Sequence, residues 1–199
     1  MLIKEAKKIT ESLTRTSKMP GLSYSLPAWA CQTGAKLRKI PTSPCFGCYA
    51  MKNNYTRYPA IKAAQYRRLD AITHPQWVEA MVAQIKRQKW FRWHDAGDLQ
   101  SSEHMQKIIE VCKLTPDTKH WLPTQERQYL PKPEDVPENL IIRLSAAKVD
   151  GTAGNAWSHS STVVTDGSPS CMAPTQGGKC LDCRACWNKD IKNVSYGKH

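Results

Sequence analysis

Seven of the eight cysteines fall into two groups, and any fold available to this chain must gather each group within reach of a common centre. In the first group, Cys31 precedes Cys45-Phe-Gly-Cys48-Tyr; in the second, Cys171 precedes Cys180-Leu-Asp-Cys183-Arg-Ala-Cys186-Trp. A C-x2-C turn brings two sulfurs to the same side of the backbone and leaves the intervening amides free to donate to them, which suits a soft metal or a cluster. Gly47 inside the first turn and Gly177-Gly178 ahead of the second group permit the tight backbone these turns need. No apolar stretch of the kind that leads secretion opens the chain, so a cytoplasmic, reducing setting is expected, with thiols held for metal rather than for disulfides.

The spacing Cys180-x2-Cys183-x2-Cys186 resembles the start of a ferredoxin-type ligand run more than a zinc ribbon. Seven ligands also exceed one tetrahedral zinc. An iron–sulfur centre is therefore the expectation at Cys31, Cys45, Cys48, Cys171, Cys180, Cys183 and Cys186, as one or two clusters or one larger one, with zinc as the alternative metal. The eighth, Cys112, falls on the apolar face of a predicted helix and reads as core.

With 199 residues and mean hydropathy of −0.57, the chain is long enough for one buried core, and no run is apolar enough for a membrane span. Residues 1–18 are basic and polar and read as mobile or loosely docked; 19–167 read as an α/β body with a cysteine loop at 31–49; 168–199 read as a cysteine-rich tail stapled by metal rather than packed. Helices are predicted over about Ala60–Ala71, from Pro75 with Trp77, Val78, Met81, Val82 and Ile85 on one face, and after Ser101-Ser102 with Met105, Ile108 and Ile109 inward. Strands are predicted at Leu22–Leu26, Lys89–His94, Lys119–Leu122, Leu140–Leu144 and about Ser161–Thr165. Strands spaced by helical or long connections favour parallel pairing, so the expected fold class is α/β, a partial barrel-like or open, mainly parallel sheet with crossover helices. Trp90, Trp93 and Trp121 read as sheet-to-helix packing, and His120 as structural.

Three of these strands end in polar or small residues: His94-Asp95-Ala96-Gly97-Asp98, Thr124-Gln125-Glu126-Arg127 and Ser145-Ala146-Ala147. The carboxyl ends of parallel strands share one rim, where ligands bind in α/β sheets and barrels. His94, Asp95, Asp98, Glu126 and Arg127 are accordingly the candidate catalytic residues, and Gly97, Asp98 and Gln125 the candidate cofactor-binding ones. The plainer alternatives are a turn at Asp98 and a surface ion pair at Glu126-Arg127. The formal charge of +12 adds a second function class, a metal-stapled nucleic-acid-binding module without catalysis. Its phosphate contacts would come from Lys36, Arg38, Lys39, Lys52, Arg57, Arg67, Arg68, Lys86, Arg87 and Lys89, all of which could equally be solvated helix faces.

The ordered motifs SYSLPA, CxxCYA, FRWHDAGDLQS, HWLPTQER, LSA, CxxCRACW and VSYGKH resemble the phage gene product 88 family from about Met19 to His199. That resemblance implies a phage or prophage origin and metal-binding cysteines. A looser similarity, to a reduced radical S-adenosylmethionine fold, implies that Cys31, Cys45 and Cys48 hold a [4Fe–4S] cluster with one open iron. It also implies that Gly97-Asp98 lie near the cofactor's amino group, and that the four tail cysteines hold an auxiliary cluster. The sequence departs from that pattern at Pro41, which stands where the usual C-x3-C-x2-C spacing has its first cysteine.

Overall fold

In the computed structural model, residues 1–52, 54–167 and 169–198 are described. Ser168, where the sequence sets the start of the tail, and His199, which closes the VSYGKH motif, lie outside them. Seven strands form one sheet in strict chain order: β1 (Thr14–Arg15), β2 (Leu22–Tyr24), β3 (Trp90–Trp93), β4 (Lys119–Thr124), β5 (Leu140–Ser145), β6 (Ser160–Val164) and β7 (Asn193–Gly197). From β2 to β7 every pairing is parallel, and only β1 runs antiparallel to its neighbour. The mixed α/β class and mainly parallel sheet expected from the sequence are thus present, as an open sheet edged by β1 and β7.

Side chains alternate across each strand, and the two faces are covered differently. On one face, Tyr24, Phe91, Trp93, Leu122, Leu140 and Ile142 meet the apolar sides of two helices, α5 (Trp77–Ile85) and α6 (Ser102–Lys113), to form the main core. Ser101 caps α6 by accepting from the His104 amide at 3.0 Å. His120 is buried here, its Nε2 2.9 Å from the Thr115 hydroxyl. Trp93 packs between sheet and helices as expected. Trp90 and Trp121 do not: being out of phase with Phe91 and Leu122, they face the other way and close around Trp187 of the tail.

The tail is therefore packed as well as cysteine-rich. Buried Trp187 donates its indole N–H to the Phe91 carbonyl at 2.9 Å, and β7 extends the sheet through buried Val194. The opening segment also differs from expectation. Residues Ile3–Thr10 form a helix, α1, whose Ala6 packs against Ala80 and Ala83 of α5. Small residues on both helices let the backbones approach, and Gln84 fixes the pair by donating to the Thr10 hydroxyl at 2.7 Å.

Between β2 and β3 lie three further helices, α2 (Gln32–Leu37), α3 (Asn54–Arg57) and α4 (Pro59–Ala71). The first of these interrupts the segment expected to be loop throughout. The β6-to-β7 crossover, by contrast, has no α-helix among its described residues; it contains two short 3-10 turns, Ala173–Gln176 and Ala185–Trp187, the second of which includes Cys186.

Candidate metal centre and strand rim

The first thiol group hangs beyond the carboxyl end of β2. Cys31 is the residue before α2, and Cys45 and Cys48 bracket a turn in which Gly47 has φ 73°. The Ser43 hydroxyl accepts from the Cys45 amide at 3.1 Å and orders that turn. Gly34 explains how the two segments come together. A Cβ there would stand 2.9 Å from the Cys31 Cβ, 3.7 Å from its sulfur and 3.9 Å from the Cys45 sulfur. A side chain there would press on Cys31, so glycine is what lets the two segments approach this closely. Burial pushes the Cys31 thiol up, and Asp98, Cys48, Cys45 and Glu126 add to the rise in that order. Burial, then Cys48, pushes Cys45 up to about 11. Such thiols hold their protons until a cation displaces them.

All eight cysteines are free thiols. Among the described residues no set of three or more His, Cys, Asp or Glu side chains stands in metal-holding geometry. The donor chemistry of the thiols fits a soft metal.

Around this group the rim residues have specific partners. Glu126 is fully buried; its Oε1 accepts the Gln32 and Thr33 amides at 3.1 and 2.7 Å, and its Oε2 the Thr33 hydroxyl at 2.6 Å. A carboxylate at a helix start satisfies amides that have no partner within the helix. Here it ties the residues after Cys31 to the end of β4. Asp98 accepts the Thr124 hydroxyl at 2.6 Å and the Leu99 and Gln125 amides at 2.8 Å each. Burial outweighs those bonds and pushes it up to about 7. Gly97, at φ 81°, is required: a Cβ would lie 2.5 Å from that of Leu26. It lets the β3 loop pass directly over the end of β2.

The other rim candidates have partners of their own. Asp95 accepts the Ser23 hydroxyl at 2.5 Å and the Tyr55 hydroxyl at 2.8 Å. Gln125 donates to the Ala146 carbonyl at 3.0 Å and Arg127 to the Ala153 carbonyl at 2.8 Å. His94 has a left-handed φ of 56°, its Nδ1 lies 3.2 Å from the Tyr24 carbonyl, and burial lowers it to about 4, leaving a neutral ring. The structure therefore brings Asp98 and Glu126 to the first thiol group, while Gln125 and Arg127 brace neighbouring loops. Sequence reasoning missed Thr33, Gly34, Ser43, Tyr49 and Tyr55. For Tyr49 the only cue was the Tyr that follows the C-x2-C turn; its hydroxyl donates to the Asp95 carbonyl at 2.5 Å.

The second group is separate. Cys171, Cys180, Cys183 and Cys186 together line one cavity of about 20 Å³, with Ala173, Trp187 and Val194. The thiols that act electrostatically on Cys180 and Cys186 belong to their own group, as do those acting on Cys31 and Cys45. Burial pushes Cys186 up to about 11, and the Tyr196 hydroxyl lies 3.3 Å from its sulfur. Gly177 and Gly178 have φ of 63° and 74°, the left-handed backbone for which glycine is suited. Arg143, buried on β5, holds the segment down by donating to the Ala185, Cys186 and Asn188 carbonyls.

A chain-ordered parallel sheet, with three thiols beyond its first parallel strand and four before its last, defines a cysteine-rich α/β protein. The chain belongs to the gene product 88 family, whose model matches residues 1–189. No curated protein and no solved structure matches it. No helix among the described residues is long and apolar enough to cross a membrane.

Proposed function

We propose that this protein binds iron–sulfur clusters and carries out redox or radical chemistry at the carboxyl-terminal rim of its sheet. The observation that carries this reading is the Cys31, Cys45 and Cys48 group, three free thiols beyond the first of six parallel strands, two of which, Cys31 and Cys45, pack against Gly34. Three cysteines leave one iron of a [4Fe–4S] cluster without a protein thiolate. When bound, such a cluster supplies an electron, and with S-adenosylmethionine as its outer ligand it supports reductive cleavage. The chain's own residues position and enclose. Glu126 fixes the segment that carries Cys31, Asp98 joins the ends of β3 and β4 beneath it, and Gly97 allows the loops to close. Phage origin and a host-cytoplasm setting accompany this reading as expectations of the family and of the thiol content.

The tail favours a second reading for its own site. Four thiols around one small cavity suit a closed, structural centre, whether an auxiliary cluster or zinc. A chain with metal only there would be a stapled binding module. Anaerobic purification followed by iron, sulfide and zinc analysis tests both. Iron with sulfide and absorbance near ~400 nm supports the enzyme reading, and Cys45→Ala should remove the iron of the first centre while Cys183→Ala removes that of the second. A colourless, zinc-loaded protein refutes it. S-adenosylmethionine cleavage by the reduced protein then separates a radical enzyme from an electron-transfer protein.

A further inference from the structure

The charge of this protein is unevenly placed. Between Ser12 and Leu69 there is no Asp or Glu, against ten Lys and Arg, so this stretch carries most of the +12. It is also the stretch that builds the cap over the first thiol group, where Ala28 and Ala50 pack with Ala96 of the rim, and Cys48, Met51 and Tyr55 pack around them.

Not all of its basic side chains face outward. Arg68 is buried and donates to the Ser12 and Ser25 carbonyls, and Arg67 pairs with Glu11 at 2.6 Å. Lys86, Arg87 and Lys89 lie at the other end of the sheet, where α5 leads into β3. Lys36, Lys39, Lys52 and Arg57 are exposed on the cap, and no ion pair among the described residues engages them.

The same cap exposes large aromatic rings. Trp29 is 49% exposed, Phe46 53% and Tyr58 48%. Two of them already carry a guanidinium: Arg38 lies 5.6 Å from the Trp29 ring centre and Arg57 5.9 Å from that of Tyr58. Exposed apolar side chains gathered in one region mark an interaction surface. Rings interleaved with unpaired cations, without an acidic residue between them, match a strand of phosphates whose bases are free to stack.

We infer that the cap formed by residues 28–52 and 54–58 binds single-stranded nucleic acid, with bases on Trp29, Phe46 and Tyr58 and phosphates on Lys36, Lys39, Lys52 and Arg57. This rests on the proposed function in one respect: it makes the nucleic acid the substrate of the first thiol centre, which the cap surrounds. Duplex DNA fits the surface less well, because paired bases offer no faces to the rings.

Fluorescence anisotropy of the full-length protein with labelled 12-mers of dT and of U, at several salt concentrations, tests it. Binding of the single strands, tighter than of a duplex of equal length, is the expected result. Trp29→Ala with Phe46→Ala should weaken it at least tenfold with little change in salt slope. Lys36→Gln with Lys39→Gln should lower the slope by about 1.4, about 0.7 per lost phosphate contact on a single strand. Lys86→Gln with Arg87→Gln should leave affinity within twofold. The inference is overturned by no binding at low salt, by duplex or polyglutamate binding as tightly as single strands, or by equal losses from the Lys86/Arg87 and cap variants. Metal analysis is a separate readout. Binding without iron would sink the enzyme reading and leave this one, whereas iron without binding would do the reverse.

Discussion

Replacing Arg143 by Met should release the tail from the sheet. The guanidinium is fully buried on β5 and has five carbonyl contacts: Ala185 and Asn188 at 2.9 Å each, Cys186 at 3.1 Å, Ser160 at 3.3 Å and Lys192 at 3.4 Å. An arginine offers five N–H groups in a rigid fork, so this environment uses all of them. The three shorter bonds, taken at about 1.5 kcal/mol each for a charged donor, are worth about 4–5 kcal/mol. Relief from burying the charge offsets part of this, and a net loss of about 3 kcal/mol is expected. Against a typical domain stability of about 5–15 kcal/mol, that is a large fraction. Arg143→Lys keeps the charge but loses the fork, and should cost about 2 kcal/mol. Urea unfolding followed by tryptophan fluorescence reads the stability, and reaction with a thiol reagent reads release of the four tail cysteines. If Arg143→Met unfolds at the wild-type midpoint with its tail thiols still protected, the assignment of Arg143 as the tail's anchor is wrong.

Glu126→Gln should cost about 2 kcal/mol, because three donors lose a charged acceptor, and should speed alkylation of Cys31; unchanged alkylation would detach Glu126 from the thiol site. Gly97→Ala combines a φ of 81° with a collision against Leu26, so a loss of about 2 kcal/mol or more is expected in the same urea assay, against none if the loops can separate. Burial lowers His94 to about 4 and His120 to about 3, so both are neutral in the fold. The unfolded chain takes up those protons first, below about pH 6.5, so stability is present above that pH and falls as pH drops toward 4. A urea midpoint that stays flat from pH 7 to 5 would contradict this.

Much of the sheet was legible because its strands alternate or run apolar and its main helices carry clear stripes. Ser101 ahead of α6 is a cap readable from local sequence alone. What was not legible depends on contacts remote in the chain. The short α1 has three lysines in eight residues, and only Ala80 and Ala83 of α5 make sense of Ala6. The partition of Trp90 and Trp121 from Trp93 needed the position of Trp187. Glu126 stood out as a carboxylate at a strand end, but its bonds to Gln32 and Thr33, more than ninety residues away, could not be read from its neighbours. Arg143 sat within an apolar run, with nothing nearby to show that its partners lay in the tail. The cysteine groups of three and four were visible in the spacing, and the cavity lined by the tail four keeps the second group together.

The strict chain order of the sheet bears on synthesis. Each parallel strand joins the one made just before it, so the sheet can grow in step with the emerging chain. Every residue named at the first thiol site has been made by Glu126, when the last seventy or so residues are still to come. The tail site needs β7, nearly the final residues. On the proposed two-centre reading the first thiol group is complete before the second is made, and a chain truncated after β5 should retain the first centre while lacking the second.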